Sequence, residues 1–196
     1  MYKLCKTEES ARRQREIELA LFALIKTTGY ENVTVTALCE RMKMPRKAFY
    51  RYFDSLDDAI VGLIDHSMSE YSGFTDDSHE LKKRSLVSEL EGFFNFWFEK
   101  RDLLTAFDRS GLIGIFTDRI INYPISDRIM MIKFLPDEDD KMRGLIFKFA
   151  LCGLVYMMID WYRDGFKTPS REMAEAACRM FRKPLFPNLE TVGFYE

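Results

Sequence analysis

Apolar residues along this chain recur at helical spacing almost from end to end. Ile17, Ala20, Leu21, Leu24 and Ile25 make one stripe, which predicts a first helix over residues 8–28 stopped by Gly29-Tyr30. After Val33, the set Val35, Leu38, Cys39 and Met42 falls at i, i+3, i+4 and i+7, a short helix with Thr34 as its cap. Pro45 suits the first position of the next helix, over residues 45–53, with Phe49 and Phe53 facing inward. Ser55 then caps a helix striped by Leu56, Ala59, Ile60, Leu63 and Ile64, which fades beyond Tyr71 into the loop-like residues 72–79.

The second part is also helical. Residues 80–100 hold Phe93, Phe94, Phe96, Trp97 and Phe98 on more than one face, so that helix is buried on several sides or borders a cavity. A short helix over residues 103–109 ends at Ser110-Gly111, and residues 112–135 predict another, disturbed at Tyr123-Pro124. A long helix over residues 137–164 carries the apolar run 145–162 and is closed by Gly165. The last helix spans residues 170–182, with Pro184 and Pro187 beyond it. The expected fold is all-α, with about nine helices.

The corner between the second and third helices concentrates chemistry. Arg46, Lys47, Tyr50 and Arg51 share the side opposite Phe49 and Phe53. Arg46 and Lys47 stand in the first helical turn, where cations are mildly unfavourable unless an anion faces them. Phosphate suits such a face.

This segment, from Thr34 to Tyr50-Arg51-Tyr52-Phe53, resembles the helix-turn-helix of the TetR family of transcriptional regulators, and the resemblance is clear over residues 8–70. It implies a three-helix DNA-binding head, residues 1–54, and a helical regulatory and dimerisation domain, residues 55–196. It further implies a ligand-responsive transcriptional regulator, usually a repressor, binding a palindromic double-stranded operator as a homodimer. Thr34, Thr36, Lys43, Arg46, Lys47, Ala48, Tyr50 and Arg51 become the DNA-facing set. Two positions depart from the family. Lys43 stands where a turn glycine is usual, at a cost of about 1 kcal/mol if the backbone there is left-handed. Leu56 stands where a lysine commonly begins the fourth helix, which removes one phosphate contact. The competing reading is an effector-independent interaction or dimerisation protein that retains the fold.

Charge distribution agrees with a one-ended DNA binder. The net charge is only −2, but residues 1–53 carry 11 Lys/Arg against 6 Asp/Glu, which leaves the remainder acidic. Arg12, Arg13 and Arg15 on the first helix are either ordinary solvated charge or phosphate contacts. The four cysteines lack CxxC spacing and predict reduced thiols in a cytoplasmic protein. His66 and His79 have no paired ligands at useful spacing, so no metal site is expected, and no cofactor. No nucleophile elbow, Walker loop or dinucleotide fingerprint is present, which points away from an enzyme. The N-terminal residues are too polar for a signal peptide, and Lys148 and Asp160 make the long helix a soluble one, with no membrane partner.

Two sites are expected in the second domain. Phe93, Phe94, Trp97, Phe107, Met157 and Trp161 would line a cavity for a small apolar or aromatic effector. Leu151, Leu154, Val155 and Met158, with Met173, Ala177, Met180 and Phe181, would form the dimer interface on the last two helices.

Overall fold

In the computed structural model, the described residues are 3, 5, 7–75, 85–123 and 137–182. Among them there are nine α-helices and no strands: α1 (Glu8–Thr28), α2 (Val35–Arg41), α3 (Arg46–Phe49), α4 (Leu56–Thr75), α5 (Leu86–Glu99), α6 (Arg101–Arg109), α7 (Ile113–Ile121), α8 (Asp140–Arg163) and α9 (Ser170–Arg182). A turn of 3-10 helix, Tyr30–Asn32, follows α1.

Local chemistry explains most boundaries. Thr7 caps α1 by accepting from Ser10 N–H at 3.2 Å, and Gly29, at φ 77°, ends it with its N–H on Ile25 O. Ser85 caps α5 and Asp139 caps α8 in the same way, through Ser88 N–H at 3.2 Å and Met142 N–H at 2.8 Å. Helix α4 runs through Thr75, past the loop expected from residue 72. A helix already formed propagates cheaply, so Ser72 and Gly73 weaken α4 without stopping it. The expected start of α5 at residue 80 and the end of the 112–135 helix, with Pro124, Pro184, Pro187 and His79, lie outside the described residues.

The chain divides into two compact units, Met1–Phe74 with Lys100–Ile125, and Thr75–Glu99 with Ser126–Glu196. The first unit extends beyond the head expected at residues 1–54, because α4, α6 and α7 share its core. Ile17, Leu21, Leu38, Phe49, Phe53, Ile60, Ile64, Leu104, Phe107 and Phe116 are all fully buried. Lys26 on α1 pairs with Asp102 on α6 at 2.5 Å, and Asp65 on α4 takes Arg119 on α7 through two hydrogen bonds of 2.5 Å. Tyr30 adds a backbone N–H to Ser110 Oγ at 3.2 Å and donates its hydroxyl to Asp57. Burial, and then that bond to Asp57, pushes the Tyr30 pKa up.

In the second unit α5 packs on α9 and α8. Phe94 meets Trp161 edge to face at 5.5 Å, and Phe166 meets Trp161 at 4.8 Å and Phe98 at 5.2 Å. These rings hold the turn after α8, where Gly165 and Phe166 both have positive φ, 75° and 57°. Trp161 Nε1 donates to Thr168 O at 2.6 Å, which fixes the start of the approach to α9. The cysteines are free thiols: Cys39 and Cys178 are buried, while Cys5 and Cys152 are only partly covered.

Candidate nucleic-acid interface

The corner between α2 and α3 is assembled from short-range contacts. Thr34 is extended, at φ −122° and ψ 154°, and its Oγ1 accepts from Ala37 N–H at 3.1 Å. Helix α2 ends at Arg41, with Met42 as its C-cap. Lys43 then adopts φ 49°, the left-handed backbone that glycine would take without steric cost. The reversal is closed by Lys43 N–H on Glu40 O at 3.1 Å and Met44 N–H on Cys39 O at 3.0 Å, with the Met44 side chain buried.

Helix α3 is shorter than the sequence suggests. Pro45 is its cap, at ψ 146°, rather than its first residue, and regular helix covers only Arg46–Phe49. Tyr50 to Tyr52 continue as turns, with Tyr52 N–H on Phe49 O at 2.9 Å. Phe49 and Phe53 are both fully buried all the same, with ring centroids 5.5 Å apart. A single turn has little dipole, so the N-terminus of α3 offers an anion little, and the side chains supply the positive charge of this face.

Those side chains stand outward. Thr34, Thr36, Lys43, Arg46, Lys47, Tyr50 and Arg51 are exposed, and Ala48 is half-buried between them. Arg46 lies over the Tyr50 ring at 6.0 Å and donates to its hydroxyl at 3.3 Å. Among the described residues no carboxylate pairs with Lys43, Arg46, Lys47 or Arg51. The arginines of α1 differ. Arg12 and Arg13 meet Glu16 at 4.0 and 2.7 Å, and Arg15 meets Glu18 and Glu70 at 3.3 and 2.6 Å. Charge paired within the chain is therefore what the α1 cluster shows.

One contributor was invisible to sequence patterning. Lys3 donates its Nζ to Tyr50 O at 2.7 Å and its backbone N–H to Tyr52 O at 2.9 Å, and pairs with Asp54 at 3.1 Å. It thereby satisfies carbonyls at the end of α3 from 47 residues away. No local spacing announces such a contact.

The residues expected in the other two sites separate. Phe93, Phe94, Trp97 and Trp161 are buried in the second unit, and Met157 is half-buried there. Phe107 belongs to the first unit, where it packs edge to face on Phe116 at 5.7 Å. Of the expected dimer residues, Leu151, Val155, Met158 and Ala177 are already covered within this one chain. Leu154 and Met173 are half-covered, and Met180 and Phe181 are open to solvent. The exposed apolar side of α8 is instead Met142, Leu145, Phe149 and Tyr156. By length and composition α8 is apolar enough to cross a membrane, although Lys148 and Asp160 are exposed on it.

Comparison with known proteins follows the same geometry. The family model for bacterial regulatory proteins of the tetR family matches residues 19–58, from mid-α1 into α4. No curated protein matches. The fatty acid degradation regulator FadR from Bacillus halodurans has a similar solved structure, with a TM-score of 0.57 at 16% identity over 92% of this chain and 98% of that one. The dihydroxyacetone kinase operon activator DhaS gives a TM-score of 0.53 at 13% identity, over 85% of this chain and 92% of that one. At such identities these likenesses are of fold. The capped α2, the turn at Lys43 and the outward face of α3 all fall within the matched residues, so this stretch of the chain is built as the head of the tetR family of bacterial regulatory proteins is.

Proposed function

We propose that this protein is a ligand-responsive transcriptional repressor that binds a palindromic operator as a homodimer through the α2–α3 corner. The observation that carries the DNA contact is the unpaired charge: Lys43, Arg46, Lys47 and Arg51 stand exposed with no carboxylate partner among the described residues, beside the Tyr50 hydroxyl. Arg46, Lys47, Tyr50 and Arg51 face the major groove and its phosphates, Ala48 lies near base edges, and Thr34 and Thr36 approach the backbone. A second copy of the chain accounts for the open side of α8. Met142, Leu145, Phe149 and Tyr156 follow helical spacing, and Met180 and Phe181 on α9 are exposed as well. Two equivalent heads then require two equivalent half-sites.

The effector is small and apolar or aromatic, taken up among Phe93, Phe94, Trp97, Met157 and Trp161 between α5 and α8. It acts by its differential affinity for the DNA-competent form, a coupling typically about 1–3 kcal/mol. Repression is the simpler sign, since a dimer on its operator excludes other proteins from it, although DhaS is named an activator. Selection of bound DNA from a random pool tests the proposal. A palindromic consensus supports it, and equal affinity for every sequence overturns it. Compounds that raise the melting temperature are then titrated against the operator complex, where release of DNA is the expected result.

A further inference from the structure

The crossing of α1 and α4 holds a charged group that DNA reading does not use. Glu18, on the inner face of α1, is fully buried. Its Oε2 is hydrogen-bonded to His66 Nδ1 on α4 at 2.7 Å and accepts from Arg15 Nη1 at 3.3 Å. Its Oε1 has no hydrogen-bond partner among the described residues and lies against α4 at Gly62, where an added Cβ would come within 2.7 Å of it. Burying a carboxylate this completely is costly unless cations and hydrogen bonds accompany it.

The neighbouring charges are largely committed elsewhere. From α4, Asp65 is taken up by Arg119 of α7, and Glu70 receives both Arg15 and Lys100. Arg15 is thus divided between two carboxylates. The remaining counter-charge for Glu18 is the half-buried His66, and that charge exists only while the imidazole holds its second proton.

We propose that Glu18 and His66 form a proton-operated latch, in which protonated His66 holds α1 on α4 and loss of its proton loosens that crossing. The Glu18 hydrogen bond holds the imidazole pKa above its ordinary 6.5; partial burial pushes it down, the Glu18 and Asp65 charges raise it and Arg15 opposes them. A proton bound more tightly in the folded chain stabilises the fold fully below about pH 6.5, the ordinary imidazole value. That contribution fades as pH rises through the raised folded value. Because Ile17, Leu21 and Leu38 share one core, loosening α1 also loosens the seat of α2 and α3. This last consequence rests on the DNA-binding function proposed above, whereas the latch does not.

The test follows the two histidine ring signals of the full chain by NMR from about pH 5 to about pH 9, a window that brackets imidazole titration, with His66→Gln assigning the one that disappears. Melting temperature is recorded over the same range for wild type, His66→Gln and Glu18→Gln. The expected ring midpoint for His66 lies above 6.5 and falls back in Glu18→Gln. Wild type should exceed His66→Gln by about 2–4 °C near pH 6, the shift of a modest stabilisation in a chain of this size, and lose that advantage in alkaline solution. A midpoint at or below 6.5, or parallel melting curves for wild type and His66→Gln, would overturn the latch. If the ring titrates as expected while no DNA sequence is selected, the latch stands and the DNA function fails; the opposite pattern sinks the latch alone.

Discussion

The α2–α3 corner and the α8–α9 pair present their chemistry in opposite ways. In the corner every determinant is local: a threonine oxygen 3.1 Å from an N–H three residues on, a left-handed Lys43, a proline cap. Its charged side chains point out because Phe49 and Phe53 take the inside. Helix α8 has apolar groups around most of its circumference, so its residue types do not say which side the chain itself will cover. Phe149 is 68% exposed and Val155, six residues on, is fully buried. Short motifs with distinct caps fix their own orientation; a uniformly apolar helix has its orientation fixed by its neighbours.

That contrast can be broken at either end. Phe49→Ala removes a fully buried ring and should cost about 3–5 kcal/mol, unfolding the first unit; urea melts that show no fall in stability would contradict this packing. Replacing Leu145 and Phe149 with Asp should convert dimer to monomer without loss of helix signal, measured by sedimentation and circular dichroism. Persistence of a dimer would place the interface elsewhere. Lys47→Ala should weaken DNA binding and flatten its salt dependence by about 0.9 for each phosphate left without its cation, nearly two units for two heads. Lys43→Gly should raise stability by about 1 kcal/mol by relieving the left-handed turn, while removal of a cation weakens DNA binding.

How much was legible follows the same division. The start and end of α1 and the Thr34 cap were readable because a few adjacent residues decide each, whereas the strain at Lys43 was readable only through the turn glycine usual in the family the segment resembles. The length of α3 was not, since Phe49 and Phe53, four apart, read as one face of a regular helix, whereas regular helix ends at Phe49. The covered positions Leu151, Val155, Met158 and Ala177 look identical, as sequence, to the exposed Leu145 and Phe149. Glu18 and His66 are 48 positions apart, and Glu18 reads on its own helix as an ordinary partner for a nearby arginine. The left-handed Phe166 is held by Phe98, Trp161 and Tyr162, and Phe98 comes from another helix.

The central claim is that the exposed face of the α2–α3 corner reads DNA. It is tested most directly by measuring affinity for a selected palindromic site, against a scrambled one, for wild type and for a variant carrying Arg46→Ala, Lys47→Ala and Tyr50→Ala. Wild type should prefer the palindrome. The variant, folded and dimeric, should bind at least about tenfold more weakly, since each good base or phosphate contact is worth about 1–3 kcal/mol. Unchanged affinity and unchanged preference in the variant would show that another surface binds the DNA.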